Sequence, residues 1–173
     1  MELPGTTYLQ TLAMISITFG GFAALVAVFR QTIGGRLSDF DMFFIRQTLL
    51  RSLIVAGCSM LPLLLALYEI SHPIIWRVSS LITGLLLILF TLTLYLRRRA
   101  VSVAPLSKAF LVNSLLAMFT AVFLLMIASG IILEPVPGHF AVAVTIIMLT
   151  AVIGYLNQLQ FVLHGFPGDK RRR

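Results

Sequence analysis

Five long apolar stretches dominate the sequence, and short polar connections separate them. Each is long enough to cross a bilayer, because a helix needs roughly 20 consecutive apolar residues to span a ~30 Å hydrocarbon core. The sequence therefore predicts an all-α integral membrane protein, a bundle of five transmembrane helices. The predicted spans are residues 8–29, 43–68, 73–96, 106–133 and 139–163.

The composition favours lipid over water as the surrounding solvent. The chain is 59% hydrophobic and 11% charged, whereas a soluble domain carries about 25% charged residues, so it has too few charges to cover a water-facing surface. The longest connections, 30–42 and 97–105, are too short for a soluble domain. We expect one transmembrane domain over residues 1–165 and a basic tail over residues 166–173.

The Lys and Arg residues predict the orientation of the chain. Of the 13 such residues, all but Arg77 lie in or beside the first and third connections or in the tail. Lys and Arg are retained on the cytoplasmic side during insertion, so we expect the N-terminus outside and the C-terminus in the cytoplasm. The first 29 residues contain no Lys or Arg, so the first span is expected to be retained and not cleaved as a signal peptide.

The net charge of +7 is explained by the Lys and Arg residues that this orientation requires on the cytoplasmic side. The charge is therefore no sign of nucleic-acid binding, and nucleic acid is not an expected partner. The triple arginine 97–99 and the tail are expected to contact the anionic lipids of the bilayer, at about 1 kcal/mol per residue. The chain resembles small multi-pass bacterial inner-membrane proteins in general, and that membrane is the expected location. Cys58 lies within the second span and is expected to be a packing residue.

Three features of the first two spans bear on helix packing and helix shape. Ser16, Gly20 and Ala24 form a small-residue stripe on the first span, which favours close contact with a helix of this chain or of another one. Pro62 removes a backbone donor within the second span and predicts a kink. Residues 43–51 are amphipathic, so they form either the start of that span or a separate interfacial helix.

A polar group lies near the predicted cytoplasmic ends of three spans. If these faces converge, they line a vestibule open to the cytoplasm, with Arg51 as its charge. The alternative is that Arg51 extends to the lipid headgroups while the amides bond across helices. The group comprises Arg51, Asn113, Asn157 and Gln158.

Two further sets of polar residues lie on or beside the spans. Arg77, Ser80, Gly84 and Thr91 form a polar stripe along the third span. At the predicted outer face, four residues are weak candidates for a metal or haem site; the alternative is helix capping and ordinary loop polarity, and we expect no metal and no cofactor. These four are Glu69, His72, Glu134 and His139.

The missing motifs limit the function. The sequence contains no phosphate-binding loop, dinucleotide fingerprint or metalloprotease motif, and no carboxylate in mid-membrane of the kind that proton pumps use. We expect a non-catalytic subunit or scaffold of a membrane complex, in contact with other membrane protein subunits or copies of itself. The alternatives are a homo-oligomeric, anion-preferring pore or channel, and a metal- or haem-binding membrane protein.

Overall fold

The structure, a computed structural model, describes residues 3–32, 39–101, 108–131 and 134–164. All regular secondary structure within these ranges is α-helix. At a few helix ends it describes the backbone alone, namely at 30–31, 39–41, 43–44, 98–101, 108–109 and 157–164.

Within the described ranges the chain forms five helices, and each contains a segment long and apolar enough to cross a membrane. The mean hydropathy of these segments lies between 2.0 and 2.4. For the described part of the chain, the prediction of an all-helical fold with five helices able to span a membrane is therefore confirmed, and this arrangement is that of a multi-pass membrane protein. The helices are α1 (Thr6–Thr32), α2 (Asp39–Ala66), α3 (His72–Val101), α4 (Lys108–Ser129) and α5 (Pro137–His164).

Local signals explain where the helices begin and end. The apolar stretch 106–133 extends beyond α4, which ends at Ser129 because Gly130 adopts a positive φ of 64°, a frequent way to end a helix. Pro137 begins α5 at a position where its missing N–H costs nothing. The carbonyl oxygen of Ser71 accepts hydrogen bonds from the first turn of α3.

The second helix is continuous from Asp39 to Ala66, so residues 43–51 belong to α2 and do not form a separate helix. Pro62 is buried within this helix. The kink predicted at Pro62 stays a prediction. The basic tail lies outside the described residues.

Two helix pairs and a shared fifth helix make the bundle. α1 packs along α2, α3 packs along α4, and α5 contacts all four of them. Trp76 of α3 and Phe140 of α5 meet in the core with their ring centroids 5.8 Å apart. The outward faces are apolar, as at Met14 and Phe119, which suits contact with lipid chains.

The small residues of α1 are used within this chain. A Cβ added at Gly20 would lie 3.0 Å from the Cβ of Ser52 in α2. The buried Ser16 hydroxyl donates to the sulfur of Met148 in α5 over 3.2 Å, while Ala24 is half-buried. The stripe thus faces helices of its own chain, where close backbone approach strengthens membrane helix packing.

Candidate functional site: a buried arginine between α2, α4 and α5

Arg51 lies inside the bundle with 4% of its surface exposed. It is about two turns into the α2 segment that begins at Ile45, which corresponds to a depth of ~9 Å. Its neighbours Leu50 and Leu53 face outward, so the opposite side of the helix carries the arginine inward.

The guanidinium is held by two neighbouring helices. Its Nη1 donates a hydrogen bond to the backbone carbonyl oxygen of Thr150 in α5, over 3.2 Å. Its Cζ lies 5.7 Å from the ring centroid of Phe90 in α3, within range for a cation–π interaction. The Nε is buried and has no hydrogen-bond partner among the described residues. The Nε–H of Arg51 is therefore a buried donor without an acceptor among the described residues.

Gly154 makes room for this arrangement. A Cβ at that position would lie 3.7 Å from Nη1 of Arg51 and 3.3 Å from Nδ2 of Asn113. Both nitrogen atoms thus lie within 4 Å of one point on α5, so the structure brings Arg51 of α2 and Asn113 of α4 together there. The side chains of Asn157 and Gln158 lie outside the described ones, and their place in a vestibule stays a prediction.

The charge of Arg51 is uncompensated within the membrane. The sequence has no Asp or Glu in any of the five candidate spans. Burial of an ion costs several kcal/mol even after the protein relaxes, and a helix carbonyl and an aromatic ring offset only part of that. An ionisable residue at such a position is by default a functional-site hypothesis.

Two more polar atoms lie on the buried side of α2. Gln47 Oε1 and Ser52 Oγ are buried, and neither has a hydrogen-bond partner in the described part of the chain. Gln47 is one turn before Arg51, on the same face and toward the predicted cytoplasmic end. Gln47 and Ser52 were not predicted as site residues from the sequence, although the four-residue spacing from Gln47 to Arg51 places these two residues on one face of a helix.

The polar stripe of α3 serves packing and capping. Ser80 is buried, and a Cβ at Gly84 would lie 3.3 Å from the carbonyl oxygen of Ala121 in α4. The Thr91 hydroxyl donates to the carbonyl oxygen of its own helix at Leu87. Arg77 is exposed, and a Cβ at Gly130 would lie 2.5 Å from its Nη2. The guanidinium of Arg77 therefore lies at the C-terminus of α4, where the helix dipole favours a cation.

The four residues considered as metal ligands lie at the end of the bundle that is distant from Arg51. Glu69, His72 and Glu134 are exposed, and His139 donates from Nδ1 to the carbonyl oxygen of Glu134 over 3.1 Å. The His139 ring also packs edge-on against Phe123, with 6.3 Å between centroids. Across the described residues, no group of three His, Cys, Asp or Glu side chains is placed to hold a metal ion.

Comparison with known protein families, with curated proteins and with solved structures gives no match to this chain. Its function is therefore argued from the buried arginine and its surroundings.

Proposed function

We propose that this chain is a multi-pass protein of a bacterial inner membrane that binds a small anion at Arg51 and catalyses no reaction on it. The observation that carries the proposal is a guanidinium that is 4% exposed and whose Nε lacks a hydrogen-bond partner among the described residues. The five spans supply no acidic side chain to pair with it.

An anion resolves the electrostatic problem that this site poses. Charges attract each other far more strongly inside a protein than in water, because the effective dielectric constant there is lower. An anion beside Arg51 would offset the cost of its burial and accept from the unused Nε. The Asn113 amide of α4 is a second donor, and it lies beside the same part of α5 at Gly154. Because Arg51 is unpaired in the absence of a ligand, binding of an anion is favoured by the electrostatic energy that is gained when the charge is paired.

The orientation sets the route to the site. We place the N-terminus outside and the C-terminus in the cytoplasm, because 12 of the 13 Lys and Arg residues then lie in the cytoplasmic connections, in the tail or near the cytoplasmic ends of the spans. In this orientation the N-terminal end of α2 faces the cytoplasm. Gln47 lies between that end and Arg51 and supplies a buried polar atom along the way. The anion thus enters from the cytoplasm.

The proposal is tested by thermal unfolding of the purified protein as chloride replaces a bulky sulfonate at constant ionic strength. A ligand that binds the folded state stabilises it by about 2.7 kcal/mol at 100 times its Kd. We expect chloride to stabilise the wild type and Arg46→Met but not Arg51→Met. Arg46 is the matched control because it is an exposed arginine on the same helix. Equal stabilisation of all three proteins would contradict the proposal.

A second observation supports a role as a non-catalytic subunit of a membrane complex. Gly21 of α1 and Gly57 of α2 are exposed, and no described atom lies within 4 Å of a Cβ added at either position. Outward-facing glycines let a further membrane helix approach closely. We propose that α1 and α2 present these positions to another membrane polypeptide.

Native mass spectrometry of gently extracted protein tests this second role. We expect a mass that includes a different polypeptide, and less of it when Gly57→Leu fills the open space. Val112→Leu is the control, because Val112 is an exposed side chain on α4. Consistent recovery of this chain by itself would count against the subunit role, and a mass of identical copies would point to a homo-oligomer.

A further inference from the structure

The geometry points to a carboxylate as the anion that Arg51 binds, carried either by a short-chain monocarboxylate or by a fatty acid. This inference rests on the anion site proposed above and specifies its ligand. It follows from the charge of the site, from the unpartnered Nε of the guanidinium and from the position of Asn113.

The charge of the site favours a single negative charge. Among the residues whose exposure is described, Arg51 is the only buried Lys, Arg, His, Asp or Glu. A monoanion makes the site neutral, whereas a dianion such as hydrogen phosphate leaves one negative charge in the bundle. Unpaired charges are strongly disfavoured in such surroundings, so the site selects monovalent anions.

The unpartnered Nε of the guanidinium favours an anion with two coplanar oxygen atoms. Nη1 is engaged by the Thr150 carbonyl oxygen, and Nε has no partner in the described ranges. In a planar guanidinium, one N–H of Nη2 points in the same direction as the Nε–H, so an anion that accepts from Nε lies opposite two parallel N–H groups. Such a fork matches the two oxygens of a carboxylate, whereas a halide ion offers no comparable fit.

Asn113 and Gly154 lie close to the guanidinium of Arg51. The Asn113 Nδ2 lies 3.3 Å from the position that a Cβ of residue 154 would occupy, so it is a third donor beside the guanidinium. A glycine at 154 leaves this space without a side chain. The surrounding spans are apolar, so they suit a methyl group as well as a longer acyl chain.

Isothermal titration calorimetry of the protein in nanodiscs of zwitterionic lipid tests the inference. The probes are formate, acetate, octanoate, chloride and hydrogen phosphate. We expect formate and acetate to bind at least about tenfold more tightly than chloride or phosphate, as one added charge-assisted hydrogen bond implies. If octanoate binds more than about tenfold more tightly than acetate, the carboxylate belongs to a fatty acid. If the two bind with similar affinities, it belongs to a short-chain monocarboxylate.

Two variants separate the fork from the charge. Arg51→Lys keeps the positive charge but not the planar fork, so we expect it to bind chloride and to lose the preference for acetate. Gly154→Ala crowds Asn113 and is expected to weaken acetate binding about tenfold. Gly138→Ala, on the same helix, is its matched control because no described atom lies within 4 Å of a Cβ there, and it should bind acetate as the wild type does. Circular dichroism checks that each variant is folded.

The wild-type titrations alone decide between the outcomes. Equal affinities for chloride and acetate would overturn the carboxylate assignment and leave the anion site standing, as would tighter binding of phosphate. An absence of binding for every anion would overturn both the carboxylate assignment and the proposed function.

Discussion

Arg51 reaches across the bundle from α2 to the Thr150 carbonyl oxygen of α5, with the Phe90 ring beside its guanidinium. These contacts hold the side chain in place without neutralising it. A purely structural arginine would stabilise the fold in the absence of any ligand. A binding arginine costs stability until its anion arrives, as charged groups at functional sites often do.

Arg51→Met separates these two roles. In buffer without small anions, we expect it to raise the free energy of unfolding by about 1–4 kcal/mol, the range seen when buried charged groups are replaced by apolar ones. Arg46→Met, at an exposed position, should change it by less than about 0.5 kcal/mol. Equilibrium unfolding in detergent measures both values. A large loss of stability in Arg51→Met would show that the arginine is structural.

Gly130 is a second residue whose conformation matters. Its φ of 64° lies in the left-handed region, and the Arg77 guanidinium occupies the space beside it. We expect Gly130→Ala to lower the free energy of unfolding by about 1–2 kcal/mol. The control is Gly138→Ala, since no described atom lies within 4 Å of a Cβ there. Equal thermal stability of the two variants would contradict this account of the α4 terminus.

At the scale of helices, two close contacts define the pairs. Gly20 lies against Ser52 between α1 and α2, and Gly84 lies against Leu125 and Ala121 between α3 and α4. At both positions an added methyl group would come closer to its neighbours than ordinary van der Waals contact, so the neighbouring side chains or helices would have to shift. The pairs therefore depend on these glycines.

Gly84→Ala tests the α3–α4 pair. A Cβ there would lie 3.2 Å from Cδ2 of Leu125 and 3.3 Å from the backbone oxygen of Ala121. We expect the variant to lose about 1–3 kcal/mol of unfolding free energy. Gly57→Ala, which meets open space, should be unchanged or slightly more stable because alanine favours helix. Thermal unfolding of both variants gives the comparison, and equal losses would refute the close contact at Gly84.

The sequence predicted the helices better than their ends and their rotation. Five spans follow from hydropathy, because bilayer thickness sets the length of any apolar helix. The stretch ending at residue 133 overran α4, because hydropathy does not register the turn that Gly130 makes. Whether Arg51 faced lipid or the bundle was left open by the sequence. That direction depends on contacts with Thr150 and Gly154, which are about 100 residues away in the chain.

At the scale of the whole molecule, the proposed site needs the right orientation. Gln47 and Arg51 face the cytoplasm only if the connection between α3 and α4 is inside and the one between α4 and α5 is outside. The charge distribution is the argument for this orientation. The proposed entry of an anion to Arg51 from the cytoplasm therefore requires that the N-terminal end of α2 is on the cytoplasmic side.

Cysteine labelling tests the orientation. In a Cys58→Ala background, we expect a membrane-impermeant maleimide to label Glu134→Cys on intact cells and to label Ser102→Cys only after the membrane is opened. Glu134 is exposed, and Ser102 lies in the connection next to the triple arginine. Labelling in the reverse pattern would invert the bundle and remove the cytoplasmic route to Arg51.

The most direct measurement locates the anion itself. Crystals grown with a high concentration of bromide would reveal bound bromide by its anomalous scattering. We expect a peak within hydrogen-bonding distance of Arg51 Nε, and no such peak in crystals of Arg51→Met. Bromide found on the surface while the space beside Arg51 stays empty in the wild type would contradict the anion site.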